Sequence, residues 1–186
     1  MWSPVQATPA TPCSELEDDD NSRLGIDRRV SSADGTPTSR MKHAMCAAPD
    51  GYIYLMGGRS HNRSLKDLWR FDPGQTQWAE VICKGQQPPG LQEHTMVCWN
   101  NRLYIFGGDA GYDTPLWILD LATLTWRKHT AANSPSGRRG HTAVVYGDAM
   151  HVYGGYEDLR GSSSELWTFD FGKINVARLT VELLAI

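Results

Sequence analysis

His94-Thr95-Met96-Val97-Cys98-Trp99-Asn100-Asn101-Arg102-Leu103-Tyr104-Ile105-Phe106-Gly107-Gly108, continued by Leu116-Trp117-Ile118-Leu119-Asp120 and closed by Trp126, is the stretch on which the fold turns. It contains four runs of strand length, at 94–99, 102–106, 116–120 and 125–129, most of them rich in β-branched or aromatic residues. Asn100-Asn101 is suitable turn chemistry between the first two. The second run is almost continuously apolar, which suits a strand covered on both faces. The diglycine after it allows close backbone approach and dihedrals that side chains resist. One such antiparallel sheet cannot bury both of its faces alone, but stacked copies can.

The copies are present. The diglycine recurs at Gly57-Gly58, Gly107-Gly108 and Gly154-Gly155, in steps of 50 and 47 residues. Leu-Trp-x-x-Asp recurs at Leu68-Trp69 to Asp72, Leu116-Trp117 to Asp120 and Leu166-Trp167 to Asp170. His43, His94 and His141 open the three units, and Trp78 and Trp126 close the first two. The turns carry fitting residues throughout: Pro49-Asp50-Gly51, Asp72-Pro73-Gly74 and Gly147-Asp148.

The diglycine, the Leu-Trp-x-x-Asp element, the closing tryptophan and a period near 50 together resemble the kelch repeat. That resemblance covers residues 36 to 170 and implies an all-β chain of kelch-type β-propeller blades, each a four-stranded antiparallel sheet. Three blades form an incomplete, open propeller, since propellers close with about 4–8. The expected units are 41–84, 92–132 and 139–170, with 171–186 as a divergent C-terminal segment. In the third unit Val176 stands where the closing tryptophan belongs, and the apolar Leu179 to Ile186 is the candidate surrogate fourth strand. The shortfall suggests a truncated form or isoform of a longer kelch protein, or assembly with another chain through open blade edges.

Charge separates the chain into two parts. Residues 1–40 hold seven acids and four arginines, a net −3, while the remaining 146 residues hold 14 of each sign and are neutral. The leading part also has four of the ten prolines and few large apolar residues, so it reads as a disordered acidic tail. Arg28-Arg29-Val30-Ser31 within it has the form of a basophilic kinase site, a short pattern that tails also carry by chance. A weakly acidic chain does not suit phosphate-driven nucleic-acid binding. No stretch reaches the ~20 apolar residues of a membrane helix, and no secretory leader is evident, so a cytoplasmic location is expected. Cys13, Cys46, Cys83 and Cys98 form no C-x-x-C pair and read as reduced thiols, Cys46 and Cys98 as core fillers.

Antiparallel order places the links between second and third strands on the same rim as the links between units. These are the long ones: 59–66, 109–114 and 156–164, with 84–93 and 130–140. Long links gathered on one rim mark the interaction surface. Its candidate partner-binding residues are Arg59, His61, Arg63, Tyr112, Arg138, Arg139, Tyr156 and Arg160, types suited to hot spots and to gripping carboxylates. Arg138 and Arg139, between Gly137 and Gly140, lead that set. Each of these residues has a bland alternative as a solvated loop charge, and for Arg138 and Arg139 pairing across blades with Asp109, Asp113, Glu157 and Asp158 is an equal alternative. The kelch resemblance implies a protein or peptide partner, acidic or turn-forming, and extends to the substrate-adaptor role that the family often fills.

Chemistry is the competing reading. Three histidines suggest a metal site, yet each occupies the same repeat position, which favours a repeated structural role. The periodic aspartates Asp72, Asp120 and Asp170 lead into turns and do not form a catalytic pair. A metal-dependent enzyme or enzyme modifier of kelch architecture is the alternative, but the sequence has no local ligand cluster, nucleophile arrangement or phosphate loop for it. No cofactor is expected.

Overall fold

The computed structural model describes residues 8–9, 35–108, 114–131 and 133–172, and residues 175–179 through their backbone. The expected tail, with its Arg28 to Ser31 pattern, falls largely outside these residues. The described chain is all-β, with no helix. Thr8–Pro9 (β1) precedes the first unit, which comprises Ala44–Ala47 (β2), Ile53–Met56 (β3), Arg59–Ser60 (β4), Arg63–Ser64 (β5), Leu68–Asp72 (β6) and Gln77–Glu80 (β7). The second unit holds His94–Trp99 (β8), Arg102–Gly107 (β9), Leu116–Asp120 (β10) and Thr125–His129 (β11). The third holds Thr142–Tyr146 (β12), Ala149–Tyr153 (β13), Tyr156–Glu157 (β14), Gly161–Ser162 (β15), Leu166–Asp170 (β16) and Asn175–Leu179 (β17).

Four strands of each unit pair in chain order, β2-β3-β6-β7, β8-β9-β10-β11 and β12-β13-β16-β17, all antiparallel. These are four-stranded blades as the repeat predicts, three of them among the described residues and not closed into a ring. β1 adds a short parallel edge to β7, with Thr8 opposite Gln77. Turn chemistry sets the register. Asn100 and Asn101 both take left-handed φ, 44° and 58°, as a tight two-residue hairpin requires. The Asp72 carboxylate accepts from the backbone N–H of Gly74 and Gln75, Asp120 from Ala122 and Thr123, and Asp170 from Gly172. The periodic aspartates therefore close turns, as their positions suggest.

That turn also decides the third blade's last strand. Asp72 faces Gln77, Asp120 faces Thr125, and Asp170 faces Asn175, the same five-residue step each time. The fourth strand thus begins at Asn175, with Val176 opposite Phe169, ahead of the apolar run at 179–186 that hydrophobicity alone favours. A constant turn outweighs a richer apolar stretch further on.

The inner strands β2, β8 and β12 lie side by side, and the sheets stack face to face. Alternate side chains fill two separate layers. Between blades one and two lie Tyr54, Met56 and Leu68 against Met96, Leu103, Ile105, Trp117 and Leu119. Between blades two and three lie Val97, Tyr104, Phe106 and Leu116 against Met150, Val152 and Phe169. The second strands read as continuous apolar runs because the middle blade is covered on both sides. Cys46 and Cys98 pack at the edge of the first layer, and burial pushes their thiols up to about 12 and about 11. Such thiols are poor nucleophiles at neutral pH.

Candidate interaction rim

The joint between blades positions the rim. Gly58 N–H donates to the Leu91 carbonyl at 2.8 Å, and Gly108 N–H to the Arg138 carbonyl at 2.9 Å. A second pair of bonds runs from Glu93 N–H to Lys42 O and from Gly140 N–H to Glu93 O, each 2.9 Å. Into each joint goes the leading histidine of the following blade. A Cβ on Gly57 would lie 3.1 Å from His94 Cε1, and one on Gly107 only 2.2 Å from His141 Cε1. The first glycine of each pair therefore makes room for the next blade's imidazole, while a Cβ on the second would press on the leading histidine of its own blade, 2.8 Å from His43 Cβ for Gly58 and 3.2 Å from His94 Cβ for Gly108.

Both inserted histidines are buried, and burial lowers their pKa to about 4. For His94 the His141 charge adds to the effect, and for His141 the Arg138 guanidinium does; the carbonyls of Met56 and Phe106 oppose it. Both are neutral at physiological pH. His141 Nε2 lies 2.9 Å from Thr95 Oγ1 of the preceding blade. Among the described residues no group of three His, Cys, Asp or Glu side chains is arranged to hold a metal ion. His94 and His141 serve joints between blades, whereas His43 packs against Gly58 of its own blade.

Arg138 is placed differently from the expectation for a rim contact. Its side chain is fully buried and all its donors are engaged within the third blade. Nη2 donates to Glu157 Oε1 at 3.0 Å and to Glu165 Oε2 at 2.9 Å, Nη1 to the Gly154 carbonyl, and Nε to the Ser136 carbonyl. Trp167 Nε1 donates to the same Glu165 carboxylate. Arg40 does the same work in blade one, forking onto Asp67 with two 2.8 Å bonds while Trp69 Nε1 donates to Asp67. Arg40, the last residue of the expected tail, is thus part of the first blade's core. The signal for this pair was available: an arginine three residues before the leading histidine and an acid two before the tryptophan. Blade two has Leu91 and Pro115 at those positions instead.

In blades one and three the link between second and third strands forms a short hairpin. β4 pairs with β5, and β14 with β15. Each is anchored to the chain leading into its own blade, by the Met41–Arg59 and Arg139–Tyr156 bridges. On the first hairpin Arg59 folds back onto the turn, donating to the His61 carbonyl and to Asn62 Oδ1. His61 and Arg63 are exposed, and the Arg63 side chain makes no hydrogen bond or ion pair among the described residues. On the third blade the Arg139 guanidinium lies 5.0 Å from the centre of the Tyr156 ring and pairs with Asp158. Arg160 projects into solvent, with Glu157 at 3.8 Å. Tyr112 and its loop, 109–113, lie outside the described residues. The hairpins thus bring Arg59, His61 and Arg63 together at one station of the rim, and Arg139, Tyr156 and Arg160 at another.

Under the rim, between blades two and three, is a cleft of about 90 Å³ lined by Thr114, Pro115, His129, Pro135, Trp167 and Phe169. Thr114 Oγ1 and His129 Nε2 are buried there without a hydrogen-bond partner. No sequence pattern marks this cleft, because it forms from two links and the faces of two sheets.

A family model described as the KLHDC2/KLHL20/DRC7 Kelch-repeats domain matches residues 27–182. Host cell factor 2 of Homo sapiens is 31% identical over 150 residues, covering 69% of this chain and 19% of that protein. Rab9 effector protein with kelch motifs, also from Homo sapiens, is 30% identical over 155 residues, covering 76% of this chain and 41% of its own. Kelch domain-containing protein 1 of Mus musculus is 31% identical over 135 residues, with 63% and 32% covered. The chain spans less than half the length of each of these relatives.

Proposed function

The chain belongs to the kelch-repeat family, and from that premise we propose that it is a protein-interaction module that captures a peptide or protein partner on the rim bearing its two hairpins. The observation that carries this reading is the contrast between rims. One is formed by tight turns closed by their own aspartates; the other holds hairpins with exposed Arg63, Arg160 and Tyr156. Arginine and tyrosine supply strong contacts at interfaces, and a free guanidinium grips a carboxylate in bidentate fashion. An acidic or turn-forming segment is the ligand that fits, with Arg63 and Arg160 as the grips and the stacked Arg139–Tyr156 pair as a platform. Arg138 has no part in capture, because it is committed inside the blade. The cleft beside Thr114 and His129 is suited to one apolar side chain of the same ligand.

Binding rather than turnover is the proposed activity, with service as a substrate adaptor as its specific form and the cytoplasm as its setting. No described helix is long and apolar enough to cross a membrane. One of the relatives is named a Rab9 effector, and a binding role is in keeping with that name. Self-association through the open blade faces is a separate proposal from capture on the rim. The test for the rim is binding of the purified chain to an array of acidic and neutral turn-forming peptides. Capture of acidic members that drops at least tenfold in Arg63→Glu/Arg160→Glu, with an unchanged melting temperature, is the expected result. Equal capture by the double variant, or no preference for acidic members, overturns the reading.

A further inference from the structure

Blade two departs from its neighbours at one place on the loop-built rim. In blades one and three the acid two residues before the tryptophan accepts the indole N–H. Trp69 Nε1 donates to Asp67 Oδ2 at 2.6 Å, and Trp167 Nε1 to Glu165 Oε2 at 2.9 Å. An arginine three residues before the leading histidine donates to the same carboxylate, Arg40 in one blade and Arg138 in the other. In blade two Pro115 stands at the acid's position and Leu91 at the arginine's. Trp117 is kept, yet among the described residues no acceptor meets its indole N–H. An indole nitrogen is a donor only, so its complement is an acceptor.

Beside this apolar pair is a cavity of about 150 Å³, lined by Pro89, Leu91, Thr114, Pro115, Trp117 and Lys128. A single water needs about 10–15 Å³, so the space admits a whole side chain. Pro89 and Leu91 belong to the link from blade one, and Thr114 ends the link before β10, so the cavity is part of the loop-built rim. Its wall is fixed to the first hairpin. Leu91 N–H donates to the Leu65 carbonyl at 3.0 Å, and a Cβ on Gly90 would meet the Ser64 carbonyl oxygen at 2.7 Å. The strand that bears Arg63, β5, therefore abuts the cavity wall. Lys128 is exposed and faces Trp117 in the β10–β11 pairing. Thr114 and Pro115 also line the cleft between blades two and three, so the two spaces share a wall.

We propose that this cavity seats a side-chain carboxylate of an acidic peptide, to which Trp117 Nε1 donates as Trp69 and Trp167 donate to the chain's own acids. A contact that blades one and three make internally is, in blade two, made with the partner. The cationic side chains of Lys128 and of Arg63 on the abutting strand favour an acid over a neutral acceptor, because an anion leaving water needs charge near it. A bulky apolar residue close to the acid enters the adjoining cleft, against Phe106, Trp167 and Phe169. The inference rests on the reading of the rim as a peptide-binding surface and narrows it to one ligand pattern, a carboxylate side chain close to a large apolar one.

The test is titration of the purified chain with short peptides, both ends blocked, each bearing one glutamate at varied spacing from one leucine. The glutamine version of each peptide is the control. Binding is read from the indole N–H signals in nuclear magnetic resonance, with that of Trp117 assigned by Trp117→Phe. At least one glutamate peptide is expected to shift the Trp117 signal and to bind about tenfold more tightly than its glutamine version, the worth of a hydrogen bond to a charged group. In Leu91→Arg/Pro115→Asp the chain's own carboxylate takes the seat, and the preference for glutamate is expected to vanish while the melt stays cooperative. The Trp117 signal of the unaltered chain decides the matter even if that variant does not fold. Saturable binding that leaves this signal unmoved, or that is equally tight for glutamine, overturns the acid seat alone, since the rim reading is tested separately by Arg63→Glu/Arg160→Glu. Failure of every acidic peptide to bind overturns both.

Discussion

Blades one and three are each stapled by an arginine, whereas the blade between them has a leucine in the same place. Arg40 and Arg138 fork onto Asp67 and Glu165, and the same carboxylates take the indole N–H of Trp69 and Trp167. In blade two Leu91 is buried at the arginine position and Pro115 replaces the acid. The pair has changed as a unit, charge with charge and apolar with apolar. The reason is desolvation: a buried charge is tolerable only with its partner, and an apolar pair of similar volume is a competent substitute. The comparison also separates what is general to a blade from what is not. All three have the diglycine, histidine and Leu-Trp-x-x-Asp, because those build joints and turns. The arginine staple is one of two ways to fill the space beneath the rim.

The most damaging way to break this contrast is to remove Arg138 alone. Arg138→Met leaves Glu157 and Glu165 facing each other in a buried place, and a loss of about 3–5 kcal/mol is expected from denaturant unfolding. A loss below about 1 kcal/mol would show the network to be incidental. Next comes transplantation: Leu91→Arg puts an unpartnered guanidinium into blade two, and should cost about 3 kcal/mol. Adding Pro115→Asp should recover at least half of that in a double-mutant cycle. Additive effects would mean that the staple depends on more than these two positions.

Protonation tests the joints themselves. His94 and His141 have pKa values near 4 in the folded chain and near 6.5 when unfolded, so the unfolded state binds more protons between those values. Stability is full above pH 6.5 and declines as pH falls toward 4, by about 2 kcal/mol per histidine at pH 5. His94→Gln and His141→Gln should each flatten that slope in melts recorded from pH 7.5 to 5; an unchanged slope would assign the acid sensitivity to carboxylates instead. The smallest effect is expected at the surface pair of Lys42 and Glu93, which also spans blades one and two. Both side chains are partly in water, so Lys42→Ala should change stability by no more than about 0.5 kcal/mol, and less in high salt.

Much of this was legible from residue order. Four landmarks at a common period identify the strands, the turns and the number of blades, and the long links correctly point to where hairpins stand. Arg138 and Arg139 show where reading the chain stops short. They are adjacent and chemically identical, yet one is sealed inside the blade and the other stacks on Tyr156 at the rim. Extended backbone sends neighbouring side chains to opposite sides, so adjacency argues against a shared role. The position of Arg40, three residues before His43, was the clue that the first of the two belongs inside. The fourth strand of blade three also escaped a reading based on hydrophobicity, because the Asp170 turn imposes its register.

Periodicity is a local property, carried by turns and by side-chain alternation within a few residues of each position. The amino-acid order alone therefore settles that this is a chain of three four-stranded kelch blades with one turn-built rim and one loop-built rim. Which groups meet across a joint is a matter of segments some fifty residues apart, brought together by stacking of the sheets. The entry of His94 and His141 beside Gly57 and Gly107, the inward turn of Arg138, and the exposure of Val144 and Tyr153 where Val97 and Phe106 are covered all arise at that level. Identical repeat positions acquire opposite environments because burial depends on the neighbouring blade, and no residue encodes its neighbour.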